Sequence, residues 1–264
     1  MNLQLEEKTA LVTGSTAGIG YAIAKGLAKE GAHVIINGRK ADDVADRIKD
    51  LKKETGNEEI TGIVADFSKK EDVENLITEI PDVDILINNV GIFNEVDFEN
   101  ISDEEWFEMF EVNVMSGVRL SRHYFPRMIK KNEGRIIFIS SESALNIPTE
   151  MVHYGFSKTA QLAISRGLAR LCKGTNVTVN SVLPGPTMSR SLEQDFEKQT
   201  KEKNTTVAAL QKEFFENRRP TSLLQRFAAT EEVANMVTYI ASPLSSATNG
   251  DALRVDGGVA NYIV

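Results

Sequence analysis

Seven short stretches of the chain are apolar almost throughout, at residues 9–13, 33–37, 60–65, 83–88, 135–140, 177–183 and 252–255. Unbroken apolarity over so few residues predicts strands covered on both faces, because a strand with one wet face alternates. Between them lie longer polar segments whose apolar residues return at helical spacing, at 19–30, 41–54, 71–80 and 154–171. Strand and helix in alternation predict an α/β fold built on a doubly wound parallel sheet of about seven strands flanked by helices. No short repeat, low-complexity stretch or linker divides the 264 residues, so one domain is expected over 1–264.

Composition narrows the function classes. The apolar share is 41% and the charged share 26%, ordinary for a globular protein. A net charge of −8 argues against nucleic acid as a partner. The single cysteine, Cys172, excludes an intrachain disulfide framework and fits a reducing compartment. Residues 1–8 carry no basic-then-apolar leader and no apolar run approaches membrane-spanning length, so a cytoplasmic protein without a membrane partner is expected. His33, His123 and His153 are scattered, which predicts no metal site. Neither G-x-S-x-G nor G-x-x-x-x-G-K-[ST] occurs.

Three places carry chemistry. At the first strand–helix junction, Thr13-Gly14-Ser15-Thr16-Ala17-Gly18-Ile19-Gly20 offers a tight turn and a helix N-terminus to a pyrophosphate. After the second strand the chain reads Asn37-Gly38-Arg39-Lys40, with Gly38 where an acid would bind the ribose of NAD. Arg39 beside it suits a 2′-phosphate, which favours NADP over NAD. Tyr154 and Lys158 stand four apart on a helical segment and so share a face. A cation near a phenol lowers its pKa from ~10, and reaching ~7 takes roughly 4 kcal/mol.

The glycine spacing resembles the T-G-x-x-x-G-x-G of the short-chain dehydrogenase/reductase family, including its 3-oxoacyl-carrier-protein reductase-like members. The resemblance runs from Leu11 to Gly258 and implies a Rossmann-type fold. Asn88-Asn89-Val90-Gly91 resembles the family's N-N-A-G, with valine in place of alanine. Asp66-Phe67 resembles the contact to the adenine ring, and Leu183-Pro184-Gly185-Pro186-Thr187 the turn beside the nicotinamide. Ser141 stands thirteen residues before Tyr154, the family's separation for its catalytic serine, with Ser140 and Ser143 as competing assignments.

The resemblance implies a catalytic set of Asn113, Ser141, Tyr154 and Lys158. Tyr154 would be the general acid or base, Lys158 would bind the nicotinamide ribose and depress the phenol pKa, and Ser141 would hold the reacting oxygen. The Asn113 carbonyl would hold a water in a proton relay. The cofactor contacts implied are Gly14, Ser15, Thr16, Gly18, Ile19, Gly20, Arg39, Asp66, Phe67, Asn88, Val90, Gly91, Tyr154, Lys158, Pro184, Gly185 and Thr187. Residues 189–220 would form a substrate lid, with amphipathic helices around Leu192–Phe196 and Val207, Leu210 and Phe214. A homo-oligomer, dimer or tetramer, is implied as well. The expected activity is hydride transfer between NADP and a small carbonyl or secondary alcohol. The alternative is a cofactor-sensing protein of the same fold with little turnover. Arg119, Arg122, Arg127, Lys130 and Lys131 form either a solvated face or a docking patch for a carrier protein.

Overall fold

The computed structural model describes residues 2–263. Seven strands form one parallel sheet: β1 (Thr9–Val12), β2 (His33–Gly38), β3 (Ile60–Val64), β4 (Ile85–Asn88), β5 (Gly134–Ile139), β6 (Val177–Pro184) and β7 (Ala252–Val255). Their order is β3-β2-β1-β4-β5-β6-β7. The chain winds outward from β1 to β3 and then returns to place β4 on the other side of β1. Parallel register holds across that seam, with Val12 opposite both Ile36 and Ile87.

Successive side chains of a strand point to opposite faces, so each strand feeds two cores. Val12, Val34, Ile36, Ile85, Ile87 and Ile137 pack on one side with Ile23 and Leu27 of α1 (Gly18–Lys29) and Leu51 of α2 (Ala41–Thr55). Leu11, Ile35, Leu86, Ile136 and Phe138 pack on the other. There they meet Leu76 of α3 (Lys70–Glu79), Leu120 and Tyr124 of α5 (Ser116–Lys131) and Ala169 of α6 (Val152–Leu171). Two buried faces explain the apolar strands.

Local signals set the helix ends. Asp42 and Asp43 open α2 and Lys52 and Lys53 close it, each favourable to the helix dipole, before Gly56 turns left-handed. Ser102 and Glu105 form a capping box on α4 (Asp103–Phe110). Between α4 and α5 the chain widens into a π-helical turn, Glu111–Met115. Over the C-terminal edge of the sheet lie α7 (Arg190–Lys203) and α8 (Val207–Asn217). These bury a separate small cluster of Phe196, Leu210, Phe215 and Phe227, with Leu192 and Phe214 against it. Val207 does not join it and is 38% exposed. A separate two-residue parallel ladder pairs 187–188 with 228–229 at the base of this unit. Helix α9 (Thr230–Ala241) packs along α1.

Candidate active site

A cleft of about 940 Å³ opens at the C-terminal edge of the sheet, beside the seam between β1 and β4. Such a switch point is where a doubly wound sheet leaves room for a ligand. One half of the cleft is built from backbone. Gly14 and Gly18 sit at φ +60° and +57°, conformations that side chains resist. Ala17 N-caps α1 without a side-chain bond, and no acid occupies the first turn. The free N–H groups of that turn border the cleft through Gly18, Ile19 and Gly20. A Cβ on Gly20 would stand 2.5 Å from the Asn89 side chain and from the Gly14 carbonyl, so only glycine permits this approach. An uncapped helix N-terminus against an open cleft fits a dinucleotide's pyrophosphate.

The rest of the loop is held from below. Ser15 donates to the Val12 carbonyl and accepts from the Asn37 N–H. Asn37, fully buried, accepts from the Gly14 N–H at 3.0 Å and donates to the Ile63 and Ala65 carbonyls. Thr16 packs over Gly38, where any Cβ would meet its methyl at 2.5 Å. Ser15 and Thr16 therefore shape the loop and do not line the cleft. Arg39 is exposed at the same edge, and its charge helps hold the Asp66 carboxyl below the usual range behind the larger effect of Ser68 hydrogen bonds.

Two expected contacts fall elsewhere. Phe67 lies in the turn after β3, is 3% exposed and packs into the core on the α3–α5 side, so its ring does not face the cleft. Asn88 turns its amide to Ser121 of α5 at 3.4 Å, whereas Asn89 lines the cleft and donates to the Thr13 and Gly14 carbonyls. Val90 stays close to the loop, its N–H donating to Thr13 Oγ1. Pro184, Gly185 and Thr187 line the opposite wall. Gly185 passes so near the Asp256 backbone that a Cβ would stand 2.5 Å from its carbonyl oxygen.

The other half of the cleft is built from side chains. Ser141, Tyr154 and Lys158 all face it. The three candidate serines differ in their surroundings. Ser140 is tied to the Lys158 carbonyl and Ser143 to Glu142, while Ser141 Oγ accepts from the Ser143 N–H and lies on the side of the Tyr154 phenol, whose pKa it pulls down. Lys158 is 4% exposed, donates to the Ile139 carbonyl at 2.9 Å and lies 5.6 Å from the centre of the Tyr154 ring. A Cβ on Gly91 would stand 3.2 Å from its Nζ, so glycine makes room for the ammonium.

Burial dominates both ionisations. It pushes the Tyr154 phenol up to about 12, against the opposing pull of the Ser141 hydroxyl, and it brings Lys158 down to about 8. The expected depression of the phenol by Lys158 is therefore not present in this structure, where the ammonium sits over the ring face and desolvation prevails.

Asn113 lies in the π-helical turn and reaches sideways. Its amide donates to the Ile92 carbonyl and to Ser157 Oγ, both at 2.9 Å, and its Oδ1 accepts from the Ile92 N–H at 2.7 Å. Its carbonyl, expected to hold a relay water, accepts from Gln161 Nε2 at 2.6 Å. Gln161 Oε1 stands 3.5 Å from Lys158 Nζ, so a side chain links Asn113 to the lysine. Sequence reasoning missed Gln161, although its place one turn beyond Lys158 put it on the same face. Glu142 and Arg219 were missed as a pair because 77 residues separate them.

His153 is fully buried, meets Asn94 Oδ1 at 2.7 Å and is held neutral by burial, away from the cleft. Of the basic face on α5, Arg119 pairs with Glu111, Arg127 with Asp82 and Lys131 with Asp84, as a solvated face would. Among the described residues no helix is long and apolar enough to cross a membrane.

Residues 8–200 match the family model described as short chain dehydrogenase. The chain is 49% identical over 263 residues to the uncharacterized oxidoreductase YvaG of Bacillus subtilis (strain 168), covering all of both chains. It is 32% identical to the 3-oxoacyl-[acyl-carrier-protein] reductase FabG of Aquifex aeolicus, over 98% of this chain and all of that one. Among solved structures it superposes on L-sorbose reductase from Gluconobacter frateurii, complexed with NADPH and L-sorbose. That match has a TM-score of 0.93 at 29% identity, with full coverage of both chains. A seven-stranded parallel sheet, a glycine loop at its switch point and these full-length matches lead to one assignment: the chain belongs to the short-chain dehydrogenase/reductase family of NAD(P)-dependent oxidoreductases.

Proposed function

We propose that the protein is an NADPH-dependent reductase of a small carbonyl compound, with Tyr154 as proton donor. The observation that carries this reading is the convergence of Ser141, Tyr154 and Lys158 on the same cleft as the uncapped N-terminus of α1. The first turn of α1 would hold the pyrophosphate, Arg39 the 2′-phosphate, and Lys158 the nicotinamide ribose. A bound nicotinamide dinucleotide supplies the hydride.

The protein's own part is orientation and proton transfer. Ser141 donates to the carbonyl oxygen and holds it beside the phenol. As negative charge develops on that oxygen, Tyr154 gives up its proton to it. A phenol pushed up to about 12 stays protonated at neutral pH, yet remains a stronger acid than the alcohol it creates. Lys158, near 8, keeps most of its charge at pH 7 and is placed to donate to the ribose hydroxyls. Residues 189–220 would close over the substrate. A binding-only sensor would have no chemical use for the Ser141–Tyr154–Lys158 cluster.

The cofactor part is tested by titrating the protein with NADPH and NADH, following nicotinamide fluorescence. Tighter NADPH binding that falls at least ~10-fold in Arg39→Ala supports a charge-assisted phosphate contact. Equal binding of the two nucleotides, unmoved by the substitution, overturns it.

A further inference from the structure

Gln161 lies on α6, one turn beyond Lys158, and is 2% exposed. A buried carboxamide needs a donor partner for its oxygen and an acceptor for its nitrogen. Its two neighbours fix which end goes where. A backbone carbonyl only accepts and an ammonium only donates. Nε2 therefore faces the Asn113 carbonyl, to which it donates at 2.6 Å, and Oε1 faces Lys158 Nζ at 3.5 Å. Asn113 cannot move to other partners, because its own side chain is held by both backbone groups of Ile92 and by Ser157.

The ammonium has three N–H donors. One goes to the Ile139 carbonyl at 2.9 Å and one points towards Gln161. Gly91 closes the space between them, since a Cβ there would stand 3.2 Å from Nζ and 3.5 Å from Asn113 Oδ1. Lys158 lines the cleft, whereas Asn113 and Gln161 are buried outside its lining, so the third donor is the one left for a ligand. The groups that face the ammonium are all neutral: the Ile139 carbonyl, the Gln161 amide, Gly91 and the Tyr154 ring 5.6 Å away. A hydrogen bond to a charged donor favours its charged form, which opposes the burial that brings Lys158 down to about 8. The Asn113 carbonyl is thus occupied by a side chain at the point where the family resemblance implies a water. A carboxamide holds both neighbours as a water would. It does not hand a proton from one to the other, because its N–H and its acceptor oxygen are different atoms.

We propose that Gln161 is a positioning residue for the reaction, standing where a relay water would and holding the Lys158 ammonium from behind so that it stays charged and aimed at the nicotinamide ribose. This rests on the reading of Lys158 given above and adds to it the group that keeps the lysine in place.

The test reads Lys158 directly. Lysine ε-carbons are isotope-labelled, the Lys158 resonance is identified by its loss in Lys158→Met, and its titration midpoint is followed by NMR. Methionine keeps the length of Gln161 but offers no oxygen, so Gln161→Met should lower the midpoint by at least ~0.5 unit. Glutamate puts a full negative charge in the same place, so Gln161→Glu should raise it by at least ~1 unit. Unmoved resonances of the other lysines separate the loss of a partner from the loss of the fold. NADPH affinity, read by nicotinamide fluorescence, should weaken at least ~3-fold in Gln161→Met as the ribose donor loosens. Midpoints that stay at the wild-type value, or an NADPH affinity as tight in folded Gln161→Met as in wild type, overturn the proposal. Should Gln161→Met not fold, the shift in Gln161→Glu decides alone. No substrate enters these titrations. If they behave as stated but the wild type reduces no carbonyl of a broad panel, the reductase reading fails and the placement of Lys158 by Gln161 stands.

Discussion

Two buried positive charges flank the same phenol, and they are housed in opposite ways. Lys158 rests against neutral partners, a backbone carbonyl and the Gln161 amide, and its pKa falls to about 8. Arg219 rests against the Glu142 carboxylate, whose own pKa is raised by burial against the pull of the guanidinium. The first charge is held at the expense of stability. The second is compensated by its partner, and removing either half exposes the other's desolvation cost. The two buried cations thus differ in which group bears the cost of burial.

Substitutions can break this contrast. The largest effect falls on the phenol between the two charges: Tyr154→Phe should lower kcat by about 10²–10⁴ with NADPH affinity little changed, measured by steady-state kinetics and titration. Next, Arg219→Met should cost about 3 kcal/mol in denaturant unfolding, and Glu142→Leu combined with it should recover most of that loss. Additive losses would show that the pair is not compensating itself.

Lys158→Met should move stability the other way, raising it by about 1–3 kcal/mol at pH 7 while abolishing turnover. The sign follows from linkage. Folded Lys158 releases its proton near 8 and the unfolded residue near 10.5, so between those values the unfolded chain holds more proton. Wild-type stability should therefore gain from this residue as pH rises from about 8 to 10.5, and below 8 the penalty is fully present. Unfolding curves across that range should lose this rise in Lys158→Met. The smallest effect belongs to the exposed bidentate pair of Arg218 and Glu95, where Arg218→Ala should change stability by no more than about 0.5 kcal/mol. A larger loss would mean that the segment carrying α7 and α8 is anchored through its surface.

The fold was legible because its signals are local and redundant. Strands buried on both faces are apolar throughout, and each of the seven predicted runs became a strand of the sheet. The glycine loop was legible for the same reason, since few residues other than glycine hold φ near +60° at Gly14 and Gly18. Spacing alone put Ser141, Tyr154 and Lys158 together, and the fold brings all three to one cleft. The inward side chains of Phe67 and Asn88 were not legible, because a motif gives an order of residues but not the direction in which the fold turns each side chain.

What the chain determined by itself was topology and the identity of its reactive groups, because periodicity, turn residues and motif spacing act over a few neighbouring residues. Tertiary structure alone decided the environment of those groups. Desolvation, not the nearby lysine, governs the Tyr154 phenol. Gln161 closes the link from Asn113 to Lys158 across 48 residues of chain. Arg219 crosses 77 residues to meet Glu142, next to Ser141 in the chain. Burial and long-range pairing depend on what the folded chain brings together, and no local pattern encodes that.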